Sequence, residues 1–204
     1  MNEQAIKDLD DGSTASNSAD NLADINAGSD NNKVDQSNEQ EIKDIDDGSE
    51  ARNEASYIAT ILNSNTNEVD ENNEQEINDI DDDSTASNSA SSGAFIEGDS
   101  DNNKVDQENK QQINDIDDVS TASNSASSGT NIIGDSDNNK LDQTDEQTIK
   151  DVDDESEASN EASNEANIED SDDNDIDQGT HQSIEGIDGE SSASNSGGNS
   201  VNIN

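Results

Sequence analysis

The stretch Asn103 to Ile132 reads NKVDQENKQQINDIDDVSTASNSASSGTNI, and every second residue in it carries the pattern. The first half of the pattern runs on odd positions, through Asn103, Val105, Gln107, Asn109, Gln111 and Ile113. The second half runs on even positions, through Ile116, Asp118, Ser120, Ala122, Asn124, Ala126, Ser128, Thr130 and Ile132. A period of two is the period of a β-strand, whose successive side chains point to opposite faces. The stretch therefore predicts β-structure with one shift of parity in its middle.

The same stretch recurs along the chain. Its landmark, NEQxI with variations, begins at Asn2, Asn38, Asn73, Asn109, Asp145 and Thr180, at offsets of 36, 35, 36, 36 and 35 residues. Such a fixed period is the signature of a repeat architecture. We therefore expect one repeat domain spanning residues 1–204, with six repeats at 2–37, 38–72, 73–108, 109–144, 145–179 and 180–204.

The differences in repeat length indicate where the turns lie. Ile96 and Asn103 are seven residues apart, whereas Ile61 and Asn67 are six apart. The missing residue falls in a segment of the type GDSDNN, whose composition is typical of turns. A one-residue slip within a strand would turn every following side chain to the wrong face. The spacing thus predicts strands that keep their register and turns that absorb the change in length.

No single repeat has enough apolar residues for a core of its own, so we expect the repeats to stack. Stacking at the strand spacing of about 4.8 Å would place like residues in columns, and stacked amides would hydrogen-bond along the axis. One predicted column contains Asn17, Asn53, Asn88, Asn124, Asn160 and Asn195, and another contains Gln4, Gln40, Gln75, Gln111, Gln147 and Gln182. The predicted fold is an all-β, cross-β solenoid, with either one rung per repeat or two rungs of about 18 residues.

Composition alone favours a different structure, a disordered acidic chain. The formal net charge is −45, and hydrophobic residues make up only 24% of the sequence. The absence of proline and the strict period argue against disorder. The acidity makes nucleic acid and anionic membrane surfaces unsuitable partners and cations suitable ones. No apolar run is long enough for membrane insertion, and if the protein is exported we expect its targeting segment to be missing from this sequence.

An acidic motif of the form DxDD lies at the parity shift. Stacked carboxylates repel one another, and Ca²⁺ binds several hard carboxylate oxygens. The sequence therefore raises the hypothesis that Ca²⁺ bridges adjacent rungs, while a solvated acidic edge is the plainer interpretation. The candidate ligands are Asp44, Asp46, Asp47, Asp79, Asp81, Asp82, Asp115, Asp117 and Asp118. No cofactor is required by this prediction, and Ca²⁺ is the one candidate.

Two further patterns bear on function. Outward positions carry a row of hydroxyl side chains such as Thr85, Ser87 and Ser89, a pattern seen on ice-binding solenoids, but Arg52 and Glu54 interrupt it. His181 is the sole histidine, and the sequence has no cysteine. A thin repetitive solenoid offers no cleft to raise the pKa of a general acid. We therefore expect a protein that is not an enzyme.

The segment GDSDNNKVDQ at Gly98 to Gln107, followed by NKQQI, resembles the repeats of the curlin subunits of bacterial functional amyloids. The longer repeat with its Ala/Ser/Asn-rich half is similar to a second class of biofilm amyloids. One departure is that Asn109, not glycine, stands two residues after Gln107. The resemblance implies a secreted, self-assembling subunit of extracellular matrix fibres.

The ends of the repeat array lead to the same expectation. Neither end has an atypical capping repeat, and an unpaired strand edge invites addition of another strand. The predicted partner is a second copy of the chain, in a homopolymer that a nucleator or a secretion channel would assist. The alternative is an acidic segment of a calcium-dependent or ice-binding adhesin, which would remain monomeric.

Overall fold

The computed structural model describes residues 2–26, 28–169 and 174–203, and in these residues the chain folds into twelve β-strands. Six strands form sheet A: β1 (Asn2–Leu9), β3 (Lys33–Ile45), β5 (Glu68–Ile80), β7 (Lys104–Ile116), β9 (Lys140–Val152) and β11 (Asp175–Ile187). The other six form sheet B: β2 (Thr14–Ile25), β4 (Glu50–Leu62), β6 (Thr85–Glu97), β8 (Thr121–Ile133), β10 (Glu157–Glu169) and β12 (Ser192–Ile203). The predicted all-β solenoid is thereby confirmed.

Each repeat forms one rung made of two strands, one in each sheet. Strands of the same sheet run parallel and pair with the strand one repeat away, in the order β1-β3-β5-β7-β9-β11 and β12-β10-β8-β6-β4-β2. The register places like on like, as in Gln75 opposite Gln111 and Asn88 opposite Asn124. The alternative of two rungs per repeat is therefore wrong. The expected repeat boundaries cut within strands, for example at Asn38 inside β3, which alters the phase of the repeat and not its period.

The interior combines apolar ends with a polar middle. One apolar cluster lies beside the DxDD turn and includes Ile42, Ile77, Ile113 and the alanine column that contains Ala86. The other lies beside the GDSDNN turn and includes residues of the Ile61, Ile96 and Ile132 column. Between them, buried asparagine and glutamine side chains face each other across the two sheets. Small alanines opposite large isoleucines allow the sheets to approach closely at both ends.

The shift of parity has a backbone cause. Asp115 adopts a left-handed conformation at φ 55° within β7. Asn114 and Asp115 both face outward between the buried residues Ile113 and Ile116. The same conformation recurs one repeat apart at Asp8, Asp44, Asp79 and Asp151. Aspartate tolerates this region better than most residues because its short side chain can bond locally. One left-handed residue per strand thus resets the alternation before the turn.

The two connections of each rung differ. At the acidic corner, Ser49 N–H donates to Asp46 O at 3.2 Å, and the two residues between them, Asp47 and Gly48, have φ of 51° and 73°. Two consecutive positive φ values define a type I′ turn. At the other end, β4 and β5 are joined by one residue fewer than β6 and β7, and the strands keep their register on both sides. This confirms that the length change lies in the turn. Among the described residues no helix suited to crossing a membrane is present.

Candidate functional site

The predicted asparagine column is a continuous hydrogen-bonded ladder. Asn17, Asn53, Asn88, Asn124 and Asn160 each donate from Nδ2 to the Oδ1 of the asparagine in the following rung at 3.0 Å, and Asn195 accepts the last bond. The same nitrogens donate a second bond to a backbone carbonyl of sheet A in the following rung, as from Asn88 to Gln112 O at 3.1 Å. Both hydrogens of each amide are used, which accounts for amides buried without apolar bulk.

The predicted glutamine column is a second ladder, and it runs in the opposite direction. Gln40, Gln75, Gln111, Gln147 and Gln182 each donate from Nε2 to the Oε1 of the glutamine in the preceding rung, at 2.8–3.0 Å. The second hydrogen of each crosses to a backbone carbonyl of sheet B, as from Gln111 to Ser125 O at 2.8 Å. The two ladders hold the sheets together. The asparagine ladder donates toward the following rung, and the glutamine ladder donates toward the preceding rung.

The outermost rungs interrupt both ladders at defined atoms. In the last rung, Asn195 Oδ1 accepts from Asn160, but Asn195 Nδ2 has no acceptor among the residues that the structure describes. Gln182 donates to Gln147 and to Ser196 O, and no described residue donates to its Oε1. In the first rung, Gln4 Oε1 accepts from Gln40, and Asn17 Oδ1 receives no bond from the described chain. At the last rung the asparagine ladder leaves a donor unused and the glutamine ladder leaves an acceptor unused. At the first rung the asparagine ladder leaves an acceptor unused.

Sequence reasoning missed three further ladders. A serine column at the acidic corner links rungs through backbone N–H to Oγ bonds, as from Ser84 N to Ser120 Oγ at 3.2 Å. An asparagine column at the other turn also links the rungs, through side-chain bonds such as Asn103 Nδ2 to Asn139 Oδ1 at 3.2 Å. A third column within sheet A contains Gln36, Glu71, Gln107, Gln143 and Gln178. The recurrence of these residues at the repeat period was the signal that could have revealed them.

Two of the buried column positions carry acids. Glu71 replaces a glutamine, and burial raises its pKa to about 7 although Gln107 donates a hydrogen bond to it. Asp145 replaces an asparagine below Asn109, and burial likewise raises its pKa against the bonds from Asn109 and Ser128. Each has one carboxyl oxygen without a hydrogen-bond partner, Oε1 of Glu71 and Oδ2 of Asp145. Both acids lie in the interior, apart from the acidic corner.

The acidic corner brings carboxylates of adjacent rungs together at the surface. Among the described residues there are four groups of three in which one oxygen per residue lies within 4.8 Å of the others: Asp10, Asp11 and Asp47; Asp46, Asp47 and Asp82; Asp81, Asp82 and Asp118; Asp117, Asp118 and Asp154. All of these groups are formed by exposed residues. Each group uses residues from two successive rungs, as the calcium hypothesis requires.

One of the three predicted acidic columns does not take part in these groups. Asp44, Asp79 and Asp115 are the left-handed residues within the strands, and they contribute no oxygen to a group. Asp79 and Asp115 instead line a small groove of about 160 Å³, whose lining also includes Asp81 and Asp117. The backbone kink that shifts the parity also separates this column from the other two. The predicted set of ligands is therefore wider than the groups that the fold forms.

Crowding at the corner favours the protonated forms of its carboxyls. The pKa of Asp47 is raised, chiefly by the side-chain contact with Asp10 and then by the charges of Asp10 and Asp46. Loss of hydration raises the pKa of Asp82, and contact with Asp46 adds to the effect. Protons, screening salt or a bound cation would each relieve this repulsion.

The alternation of inward and outward positions along the strands places four further features. Tyr57 is buried and donates to Asn72 O at 3.0 Å, whereas Phe95 is 43% exposed. The hydroxyl row that includes Thr85 and Ser89 is on the outer face of sheet B. His181 is exposed on β11. None of these residues joins the ladders' end faces.

The sequence matches no protein-family model and no curated protein, and the fold matches no solved structure. The resemblance to curlin repeats therefore remains an interpretation of the repeat pattern. The ladders and the acidic corner are the features of the structure that bear on function.

Proposed function

We propose that the chain is a self-assembling structural subunit that adds end to end into fibres. The observation that supports this most directly is the complementarity of the two end faces. Within the described part of the chain, the last rung has an unused donor at Asn195 Nδ2 and an unused acceptor at Gln182 Oε1. The first rung offers the matching acceptor, Asn17 Oδ1, and a matching donor, Gln4 Nε2, which already gives one hydrogen to Ser18 O.

A second copy placed on the last rung would extend both ladders in their existing directions. Within the chain, the asparagine amide of one rung donates both to the next asparagine and to a sheet A carbonyl of the next rung, as Asn17 does to Asn53 and Glu41. Ala5 occupies the position of Glu41 in the first rung. Asn195 of one copy would therefore donate to Asn17 and to Ala5 O of the next, and Gln4 of that next copy would donate to Gln182.

The opposite polarity of the ladders makes the joint directional. Two last rungs placed face to face with like sheets stacked would bring Asn195 donors against donors and Gln182 acceptors against acceptors. Such a contact would also lose the parallel pairing that runs through both sheets. Unpaired buried amides cost about 1–3 kcal/mol each, so we expect only the contact of a last rung with a first rung to grow.

The sharpest test of this joint is Asn195→Asp. The carboxylate still accepts the bond from Asn160, so the chain's own ladder stays satisfied, but no donor remains for the next copy. Ser194→Asp is the matched control, because it adds the same charge to the exposed outer face of the same strand. Light scattering and electron microscopy should show fibres for the unaltered chain and Ser194→Asp, and little growth for Asn195→Asp. Equal growth of both variants would contradict the proposal.

We propose further that Ca²⁺ modulates this assembly at the acidic corner. The four carboxylate groups span successive rungs, and a chain of net charge −45 must bring like charges together to stack. Asp82→Asn with Asp118→Asn removes a ligand from three of the four groups, and Glu54→Gln with Glu161→Gln removes the same charge from the outer face of sheet B. Calorimetric titration with Ca²⁺ alone should give heat for the control and much less for the corner variant. Identical titrations would exclude the corner as the calcium site.

The same carboxylate groups favour a second candidate function, a calcium-stiffened segment of an adhesin. In that case the chain would bind Ca²⁺ and gain thermal stability while remaining monomeric. Its size over time separates the two functions, because a fibre subunit grows and an adhesin segment does not. For the fibre subunit we propose an extracellular or surface-matrix location, with a nucleator or secretion channel as a further partner. The interrupted hydroxyl row gives no comparable support to ice binding.

A further inference from the structure

Glu71 lies within a glutamine column that otherwise has the polarity of the main glutamine ladder. Gln143 donates from Nε2 to Gln107 Oε1 at 2.9 Å, and Gln107 donates from Nε2 to Glu71 Oε2 at 2.8 Å. Glu71 is 2% exposed, and its strand partner in the preceding rung is Gln36. The pattern requires the next bond to run from Glu71 to Gln36 Oε1.

That next bond has no hydrogen if Glu71 is ionised. Glu71 Oε1 and Gln36 Oε1 are both buried oxygens without a hydrogen-bond partner. A carboxylate can only accept, whereas a carboxylic acid has one O–H to donate. A proton on Glu71 Oε1 would supply the one missing donor and satisfy both oxygens. A neutral glutamic acid then has the same donor and acceptor arrangement along the column as the glutamines above it.

We propose that Glu71 is a neutral carboxylic acid in the folded solenoid, that it donates its proton to Gln36, and that the fold is therefore sensitive to pH at this rung. The inference concerns the folded rung itself and does not depend on fibre assembly.

The described interior around Glu71 offers no cation that would pair with a carboxylate. Among the inward-facing residues that the structure describes on β3, β4, β5, β6 and β7, Glu71 and Tyr57 are the only titratable groups. Tyr57 gives its proton to Asn72 O and not to Glu71. The nearby charged groups lie on the outward parity of sheet A, where Asp70, Asp106 and Glu108 share the surface with Lys33 and Lys104, which pair with Asp70 and Asp106.

The direction of the pH effect follows from this burial. The pKa of Glu71 is raised to about 7 in the folded state, so the folded state holds the proton more tightly than the unfolded chain does. Stability then falls as pH rises from the ordinary glutamate pKa toward about 7, and the loss is complete above that value. This loss of stability corresponds to an increase of roughly two orders of magnitude in the unfolding equilibrium constant.

Glu71→Gln tests the proposal with the column intact, because glutamine supplies the missing N–H at every pH. Denaturant unfolding should show that Glu71→Gln equals the unaltered chain at about pH 4 and is more stable by roughly a hundredfold in equilibrium constant at about pH 8. Glu108→Gln, which removes the same charge from the exposed face of β7, should leave the pH profile unchanged. Parallel pH profiles for Glu71→Gln and the unaltered chain would overturn the proposal.

A spectroscopic measurement covers the case in which unfolding is irreversible. In the unaltered chain with ¹³C-labelled glutamate carboxyls, one resonance should titrate near neutral pH, and that resonance should be missing from Glu71→Gln. If all glutamate carboxyls titrate in the ordinary acidic range, Glu71 is ionised and the proposal is wrong.

Discussion

At the scale of single residues, an exception to the repeat can leave a buried group of the solenoid without compensation. Asp145 stands where the column carries Asn38, Asn73 and Asn109, and its Oδ1 takes the bond from Asn109 at 2.9 Å. Its Oδ2 lacks a partner, and so does Oδ1 of Asn164 on the facing strand of the same rung. An ionised carboxylate at this position would be buried without compensation.

We expect Asp145→Asn to stabilise the fold at neutral pH. The raised pKa of Asp145 means that the fold loses stability as pH rises through the acidic range, and asparagine removes that loss. The expected gain is about 1–3 kcal/mol at about pH 7 and close to nothing at about pH 3. Denaturant unfolding at the two pH values measures it, with Asp177→Asn on the exposed face of β11 as the control. A gain of equal size at both pH values would show that ionisation of Asp145 is not the cause.

The acidic corner contains a strained residue. Val119 is the second residue of a type I′ turn at φ 65°, a position that other repeats fill with Gly12 or Gly48. A β-branched side chain in the left-handed region is destabilised by about 1–2 kcal/mol.

Val119→Gly is therefore expected to raise the thermal unfolding midpoint, because Val119 is 54% exposed and contributes little packing. Val119→Ala, which keeps a Cβ in the left-handed region, should gain less. A lower midpoint for Val119→Gly would mean that the valine side chain makes a stabilising contact at this corner.

At the scale of strands and turns, register is the property that the sequence protects. The short turn aligns Ser64 with Ser100 and Asn67 with Asn103 through hydrogen bonds between rungs, which leaves Asp99 as the residue without a counterpart. The turn therefore closes with or without this residue. Inside a strand the loss of one residue would exchange the buried and exposed faces.

Deletion of Asp99 should leave the fold nearly as stable as before, while deletion of Glu108 in the middle of β7 should unfold the adjoining rungs. Both residues are exposed acids, so the two deletions change length and charge equally. Circular dichroism and denaturant unfolding distinguish the outcomes. Loss of β-structure on deletion of Asp99 would mean that the two turn lengths are not interchangeable.

The period of two, the 35–36-residue repeat and the recurrence of amides at fixed positions were enough to predict stacked repeats, their register and two of the ladders. They left open whether a repeat forms one rung or two. The number of strands per rung could not be predicted, because the parity shift at Asp115 is a backbone feature that local sequence does not distinguish from a turn. The same kink removed Asp44 and Asp79 from the carboxylate groups. Aligned repeats already show that Glu71 and Asp145 are acids at positions where other repeats carry amides. What the fold adds is that one carboxyl oxygen of each is buried without a hydrogen-bond partner among the described residues.

At the scale of the whole molecule, each rung is satisfied only when a rung lies above and below it. The inner rungs meet this condition. The side chains of the last rung are more exposed than their counterparts in the inner rungs: Ile187 is 50% exposed, whereas Ile45, at the same position of the repeat, is 0% exposed. The two end faces are complementary in their amide donors and acceptors and opposite in polarity. Our central claim, that copies of the chain stack end to end in one direction, follows from this property.

Helical reconstruction by electron cryo-microscopy of fibres grown from the chain tests that claim most directly. The account predicts parallel rungs spaced by about 4.8 Å without interruption, all chains pointing the same way, and Asn195 of each copy in register with Asn17 of the next. A chain that remains monomeric, or fibres in which adjacent copies alternate in direction, would contradict it.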